Sequence, residues 1–469
     1  MNTITINPVT RIEGHAKITI DLDDAGNAVD AKIHVTQFRG FETFSHGRPF
    51  SEMPSLMART CGICPVSHLV SGAKAGDGLL SVKVPKTGAN LRRIMNLAQI
   101  MQSHALNFFH LSSPDILLGF DADPKDRNIF YLMSKEPAIA KMGVGLRAFG
   151  QSIIEMLGKK RIHPAWIVPG GVNAPLDPRI RDAILSQIGE KKSDALKAIE
   201  LFKSKIASFP KEIESLANIE TLFMSIVGKN GELEHYDGKV KFIDAKGKTV
   251  AENLDPADYQ SYIGEKVEDF SFMKFPYYLP YGVERGSYRV GPLARLNIAT
   301  KCGTPLADKE FEIFKGFGMP QNASFFYHYA RLIEVLYCIE KIEELLNEPD
   351  ILSEHVRAVA KLNEFEAVGM SEAPRGTLLH HYKTDKNGLI TFANLIIATG
   401  HNNLAMNAGI TQAAREFVRG DYKEGALNRV EAVIRCFDPC LSCATHAQGK
   451  MGFEVAFRQG GKIVDKKFI

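Results

Sequence analysis

"RTCGICPVSH" (59–68) sets two cysteines three positions apart, with a histidine four residues further on. Thiolates at that spacing hold zinc, an iron–sulfur cluster or another soft metal, or close as a redox disulfide. The partners decide among these. A second pair stands near the other end of the 469-residue chain, in "DPCLSCATH" (438–446), which carries Cys440 and Cys443 with His446 behind them. Two pairs make four thiolates, a full tetrahedral set. They lie 376 residues apart, counted from Cys64 to Cys440, whereas a small zinc ribbon keeps its pairs within about 15–20 residues. A site assembled from opposite ends ties the whole fold together and lies deep, which favours catalysis over a local staple. A structural zinc site with four cysteine ligands is the plain alternative. A thioredoxin-like dithiol fits less well, because neither pair follows an evident strand in a βαβ unit. Cys436, Cys440 and Cys443 also have the spacing of a radical S-adenosylmethionine loop, but that loop needs a β/α barrel after it, and 26 residues remain. Cys302 and Cys338 have no cysteine neighbour, and Cys338 reads as a core residue of an apolar helix.

Seven cysteines, odd in number and clustered, argue against a disulfide framework and for reduced thiols in the cytosol. The composition, 45% hydrophobic and 24% charged, is that of a globular protein. A net charge of +3 gives no push toward nucleic acid or an acidic membrane surface. No apolar run reaches about 18 residues, so no membrane span is expected, and "MNTITINPVTRIEGH" (1–15) is not a secretory signal.

The predicted fold class is α+β, mainly α. A large helical-bundle core carries N-terminal and mid-chain β-rich subdomains, with the metal site built from both chain ends. The expected division is a β-rich region with the first cysteine pair (1–75), a helical core (76–235), a β-rich subdomain (236–300), and a helical core with the second pair and a tail (301–469). Strand alternation marks 3–36, and helical periodicity marks 89–111, 138–158, 179–218, 322–348, 350–365 and 405–435. Within 179–218, Ala195, Ile199, Phe202 and Ile206 form one apolar stripe.

Six segments in order resemble one family, the large subunit of nickel–iron hydrogenases. They are "RIEGH" (11–15), "RGFETF" (39–44), "RTCGICPVSH" (59–68), "SHALNFFHLSSPD" (103–115), "EAPRG" (372–376) and "DPCLSCATH" (438–446). The last segment and the length look most like the cytoplasmic branch. That branch holds the methyl-viologen-reducing (F420-non-reducing) hydrogenases of methanogens, the best match in general likeness, and the F420-reducing and NAD-reducing enzymes. Relatives in respiratory complex I keep the fold and lack the four cysteines, all present here.

The resemblance implies that nickel takes all four thiolates, Cys61 and Cys440 as terminal ligands and Cys64 and Cys443 bridging to an iron that carries one CO and two CN ligands. Soft, electron-rich thiolates suit both metals. Heterolytic H2 cleavage needs a hydride acceptor and a base. Cys440 is the implied base, and Glu13 of "RIEGH" takes the proton onward. Taken alone, Glu13 would be a surface or salt-bridged glutamate. Arg375 is implied to lie over the open metal position near a cyanide, with Pro374 restricting the loop. Asp115 and Asp438 are implied to flank that arginine, although singly each reads as a cap or turn residue. His68, by itself a core histidine, is implied to donate toward a bridging sulfur. A Mg2+ (or Fe2+) ion would take Glu42, His446 and the Leu395 carbonyl. Thr399 would serve the second cyanide, in a stretch where Ala398 and Gly400–His401 replace the family's usual Pro and Thr–Trp.

The implied activity is reversible H2 oxidation to two protons and two electrons. The implied partners are an iron–sulfur small subunit, heterodisulfide reductase and a further electron-transfer subunit. An H2-sensing protein is the rival from another class. Family precursors lose a C-terminal extension after the histidine matching His446. Here 23 residues follow it, "FEVAF" and "KIVD" around "RQGG" read as a hairpin, and retention of the tail is expected.

Overall fold

A computed structural model of the chain describes residues 2–446, together with the backbone of 454–459 and 462–468. Its centre is the helix Tyr327–Leu346, in which every residue from Tyr327 to Glu340 is buried. A helix buried on all sides is a core element that other helices surround. Lys86–Leu106 and Pro178–Ile206 pack against it, and Pro137–Gly158 packs on Lys86–Leu106. Pro178–Ile206 starts at Asp177, whose carboxylate caps the Arg179 amide, with proline in the first turn. It buries Ala195, Ile199 and Phe202, while Ile206 at its end is half-buried.

The chain ends meet through a sheet. Asn2–Ile6, Ala16–Leu22 and Ala28–Val35 pair antiparallel in sequence order. Ala16–Leu22 alternates buried and half-buried positions, as one covered face requires. The helix Asn403–Phe417 lies on Ala28–Val35, and Glu424–Phe437 lies on that helix. The segment between the first two strands therefore reaches the second cysteine pair. A four-stranded sheet has the order Tyr288–Arg289, Leu222–Val227, Lys239–Ile243, Thr249–Leu254. Leu222–Val227 falls within the segment 76–235 that the sequence assigns to helix. It is apolar at every position but Ser225 and buried on both faces, and periodicity does not separate such a strand from a buried helix.

Two expectations fail between 350 and 400. Residues 350–365 form an extended strap instead of a helix. After a turn at its start, where Ser353 N bonds Asp350 O, its backbone hydrogen bonds go to other segments, Ala358 N to Gly170 O and Asn363 N to Leu79 O, and no helical ladder forms. The 301–469 stretch, read as helical, contains the sheet Glu366–Ala373, Gly376–Thr384, Ile390–Ile396. Its middle strand is buried on both faces, so alternation is lost. The helix Pro65–Leu80 packs on Glu366–Ala373. The fit is close enough that a Cβ on Gly369 would come 2.0 Å from the Ser71 carbonyl oxygen. Of the tail, the strands Glu454–Gln459 and Lys462–Phe468 pair antiparallel. The expected turn at Gly460–Gly461 lies outside the described residues.

Candidate metal centre

Each cysteine pair opens a helix. Cys64 caps Pro65–Leu80, which has proline in its first turn, and Cys440 caps the short Leu441–Ala444. In the first pair the amides of Ile63 and Cys64 point at Cys61 Sγ, at 3.2 and 3.4 Å. In the second, Glu424–Phe437 ends on Asp438 in the left-handed region (φ 54°, ψ 59°). Aspartate tolerates that region better than most residues, and the reversal carries Cys440 back toward the first pair. All four sulfurs lie within 4.8 Å of one another, buried and unbonded. Cys61–Cys440 is 3.2 Å, Cys64–Cys443 3.6 Å, Cys64–Cys440 3.8 Å and Cys440–Cys443 2.9 Å. Four thiolates at about 2.3 Å from a shared ion stand roughly 3.8 Å apart, so the cage has the size of one metal.

The electrostatics ask for a cation. Hydrogen bonding from Cys440, Cys443 and Cys64 holds the Cys61 thiol well below its ordinary pKa. Burial pushes Cys440 and Cys443 well above theirs. Four buried thiols cannot all ionise without a compensating charge.

"RIEGH" lies directly against the second pair. Glu13 and Cys440 form an isolated parallel bridge, Leu441 N donates to Glu13 O (3.2 Å), and Ser442 N donates to Glu13 Oε2 (3.2 Å). Gly14 makes this approach possible: its φ is +90°, and a Cβ there would meet Leu441 Cβ at 2.6 Å. The Glu13 side chain is only half-buried, which puts one carboxylate between the cage and solvent.

On the other side, Cys64 and Cys440 border a small cavity of about 10 Å³. Its wall is apolar (Ala373, Pro374, Leu378, Ile397, Ala398), with Arg375, Thr399 and His68 the polar residues. Arg375 donates to Asp438 O (2.6 Å), Asp438 Oδ1 (3.2 Å) and Ser103 Oγ (3.3 Å). Burial opposes its charge, but Asp438 and the thiolates outweigh it, so its pKa lies above the ordinary guanidinium value. Thr399 Oγ1 accepts from Cys440 N at 2.8 Å, leaving its own proton to donate. Burial pushes His68 down to about 4, so it is neutral, and its Nδ1 is 3.1 Å from His380 Nε2.

Asp115 does not flank Arg375, contrary to what the resemblance implies. It pairs with Arg11 (2.6 Å) and Arg435 (3.0 Å) and accepts from Asn428 (3.0 Å), which occupies its carboxylate. Ser103 supplies the second side-chain contact to Arg375. Glu42 Oε1 accepts from Leu395 N (2.9 Å) and faces Lys274 Nζ (3.4 Å), and burial raises its pKa. His446 is buried, pushed down to about 4 by burial, and neither ring nitrogen makes a well-formed hydrogen bond among the described residues. A neutral, buried imidazole next to the segment that carries Glu42 (Arg39 N donates to Thr445 O) fits a cation ligand.

Several residues that shape the site escape sequence reasoning. His163 bonds Cys61 O (2.9 Å), and Gln102 donates to Ile63 O (2.9 Å). Asn96 donates to Glu372 O (3.0 Å), and Gln99 accepts from Val66 N (3.3 Å). A signal exists for some. Asn96, Gln99 and Ser103 recur at spacings of three and four on a largely buried helix, which sets them on one face.

The donor set fits a nickel–iron group. It offers four soft ligands in a one-metal cage, with a small cavity bordered by Cys64 and Cys440. A family profile described as nickel-dependent hydrogenase matches residues 39–131 and 209–446, and one described as HoxL-like matches 3–38. The NAD-reducing hydrogenase HoxS subunit beta of Cupriavidus necator is 40% identical, with 99% of each chain covered. An F420-non-reducing hydrogenase of Methanothermobacter marburgensis supplies a second relative, 41% identical over 95% of each chain. A crystal structure of an NAD+-reducing NiFe-hydrogenase in the H2-reduced state matches at a TM-score of 0.93. It is 43% identical, over 95% of this chain and 100% of that one.

Proposed function

We propose a mechanism for this chain, which belongs to the nickel-dependent hydrogenase family, as the large subunit of an enzyme acting on H2. The reaction is reversible heterolytic cleavage of H2 to two protons and two electrons. The observation that carries it is the four-thiolate cage open on one side to an apolar cavity under Arg375. Cys61, Cys64, Cys440 and Cys443 would hold the nickel–iron group, Cys61 and Cys440 as ligands of nickel and Cys64 and Cys443 as ligands shared with an iron that would carry CO and two CN. The bound centre supplies the electron-accepting half of H2 cleavage.

The chain's residues supply the rest. Apolar walls of Pro374, Leu378, Ile397 and Ala398 exclude water, which strengthens every charge inside. Arg375, held by Asp438, presents a fixed cation beside the cavity, and the Thr399 hydroxyl offers a second donor. Each fits an anionic ligand end. The Cys440 sulfur takes the proton as base. Glu13, tied to the backbone at Leu441 and Ser442, receives it and passes it to the half-exposed edge of the fold. Glu42, His446 and the Leu395 carbonyl are read as the ligands of a Mg2+ ion.

Electrons leave through an iron–sulfur partner subunit. Cys302, Cys338 and Cys436 do not form a cluster set: Cys436 faces His328 (3.5 Å), and burial raises all three thiols. The downstream acceptor is heterodisulfide reductase if the chain works as the F420-non-reducing relatives are named. The full-length match to an NAD-reducing relative favours NAD+ as the second reading. Under either reading the enzyme is cytoplasmic. H2-dependent reduction of methyl viologen by the purified complex tests the activity. No turnover with nickel and iron both loaded would favour an H2 sensor. Reduction of NAD+ by the same complex would select the second acceptor.

A further inference from the structure

His68 is connected to two side chains outside the cavity. Leu378, His380 and Tyr382 share one face of the strand Gly376–Thr384, because alternate residues point the same way. Leu378 lines the cavity, and the next two positions carry that face away from it. His68 Nδ1 lies 3.1 Å from His380 Nε2, and His380 Nδ1 lies 2.8 Å from the Tyr382 hydroxyl. All three side chains are buried, at 1% exposure or less.

The donors and acceptors along this chain run in one direction. The Tyr382 hydroxyl has one proton, and among the described residues its one hydrogen-bond partner is His380 Nδ1. Were His380 protonated at Nδ1, the buried hydroxyl proton would have no acceptor, a loss of about 1–3 kcal/mol. Tyr382 therefore donates and His380 Nδ1 accepts. A neutral imidazole then carries its proton on Nε2, which donates to His68 Nδ1. By the same rule His68 carries its proton on Nε2, and its ring is among the residues that line the cavity.

We infer that His380 and Tyr382 are positioning residues that lock His68 as its Nε2–H tautomer and so keep an N–H donor on the ring that lines the cavity with Cys64. This rests on the proposed nickel–iron reading, in which a donor next to a bridging thiolate withdraws electron density from the iron. Without His380, no partner on the Nδ1 side selects between the two tautomers of His68. With it, the strand dictates which one forms.

Infrared spectroscopy of the metal-loaded complex tests this without relying on turnover. In Tyr382→Phe, which keeps the ring and removes the hydroxyl, the carbonyl stretch is expected to move to lower wavenumber than in the parent. His380→Leu should move it the same way. His380→Gln, whose carboxamide can still donate to His68 Nδ1, should leave the band at the parent position. An unmoved carbonyl band in both Tyr382→Phe and His380→Leu, with melting temperatures near the parent's, overturns the inference. Absence of any carbonyl and cyanide bands from the parent would overturn the nickel–iron reading itself, and the inference with it.

Discussion

Glu13 and Arg375 both reach the 438–442 segment, one at Ser442 N and the other at Asp438, and their chemistry separates their work. Glu13→Gln keeps an oxygen for the Ser442 amide but cannot carry a proton. H2-dependent viologen reduction should fall by roughly 10²–10⁴-fold while nickel and iron contents stay at parent values. Unchanged turnover would remove Glu13 from the proton route. Arg375→Lys keeps a charge but replaces a planar fork with one ammonium, which cannot reach Asp438 O, Asp438 Oδ1 and Ser103 together. Turnover should fall by about 10²–10³-fold, the cost of removing one preorganised donor from a dry site, again with metals retained. The cysteines, Glu13 and Arg375 are legible in the sequence because ordered motifs carry them. His163 is not, since a lone histidine has no pattern, and the contacts of His163 with Cys61 and of Ser103 with Arg375 arise only in the fold.

Between elements, Asp115 does a different job from the one the motifs imply. It ties Arg11, two residues before Glu13, to Arg435 on the helix Glu424–Phe437 that delivers the second cysteine pair. Burial alone would raise its pKa, but Arg435 and Arg11 more than reverse this and hold it below the ordinary carboxylate value. The sign follows: its stabilisation is present above about pH 4 and is lost as pH falls through the lowered folded pKa. Asp115→Asn leaves two guanidinium groups without their carboxylate. Chemical denaturation at pH 7 should show a loss of about 3–5 kcal/mol, the usual cost of breaking a buried pair from one side. A loss under about 1 kcal/mol would mean Asn428 and Glu431 satisfy the arginines unaided. Element type is legible wherever periodicity is clean, as in Pro178–Ile206, and is lost where burial is two-sided, as in Leu222–Val227 and Gly376–Thr384. The 350–365 strap is misread for another reason: its backbone partners, Gly170 and Leu79, are distant in sequence.

For the whole molecule, a site whose ligands lie 376 residues apart makes metal binding a property of the global fold. The native cage binds the metal and the unfolded chain does not preserve it, so loading adds stability by mass action. A free metal level of about 1,000 times Kd adds about 4 kcal/mol. With an unfolding entropy of roughly 2.1 cal/mol/K per residue, that raises the melting temperature of a chain this long by about 4 °C. Acid acts on the fold from a separate direction. Burial pushes His104 down to about 4 and His401 to about 3, and both are fully enclosed. Their folded pKa values lie below the unfolded value of about 6.5, so the unfolded state binds more protons in between and stability falls as pH falls. Each histidine contributes nothing to this slope above pH 7 and costs about 3 kcal/mol by pH 4. Melting temperatures of the metal-free chain should therefore be level from pH 8 to 7 and drop progressively below about pH 6.5. A profile flat down to pH 4 would show that these imidazoles are not held neutral. A metal-loaded sample that melted no higher than the stripped one at pH 7 would show that the two cysteine pairs do not meet on one ion.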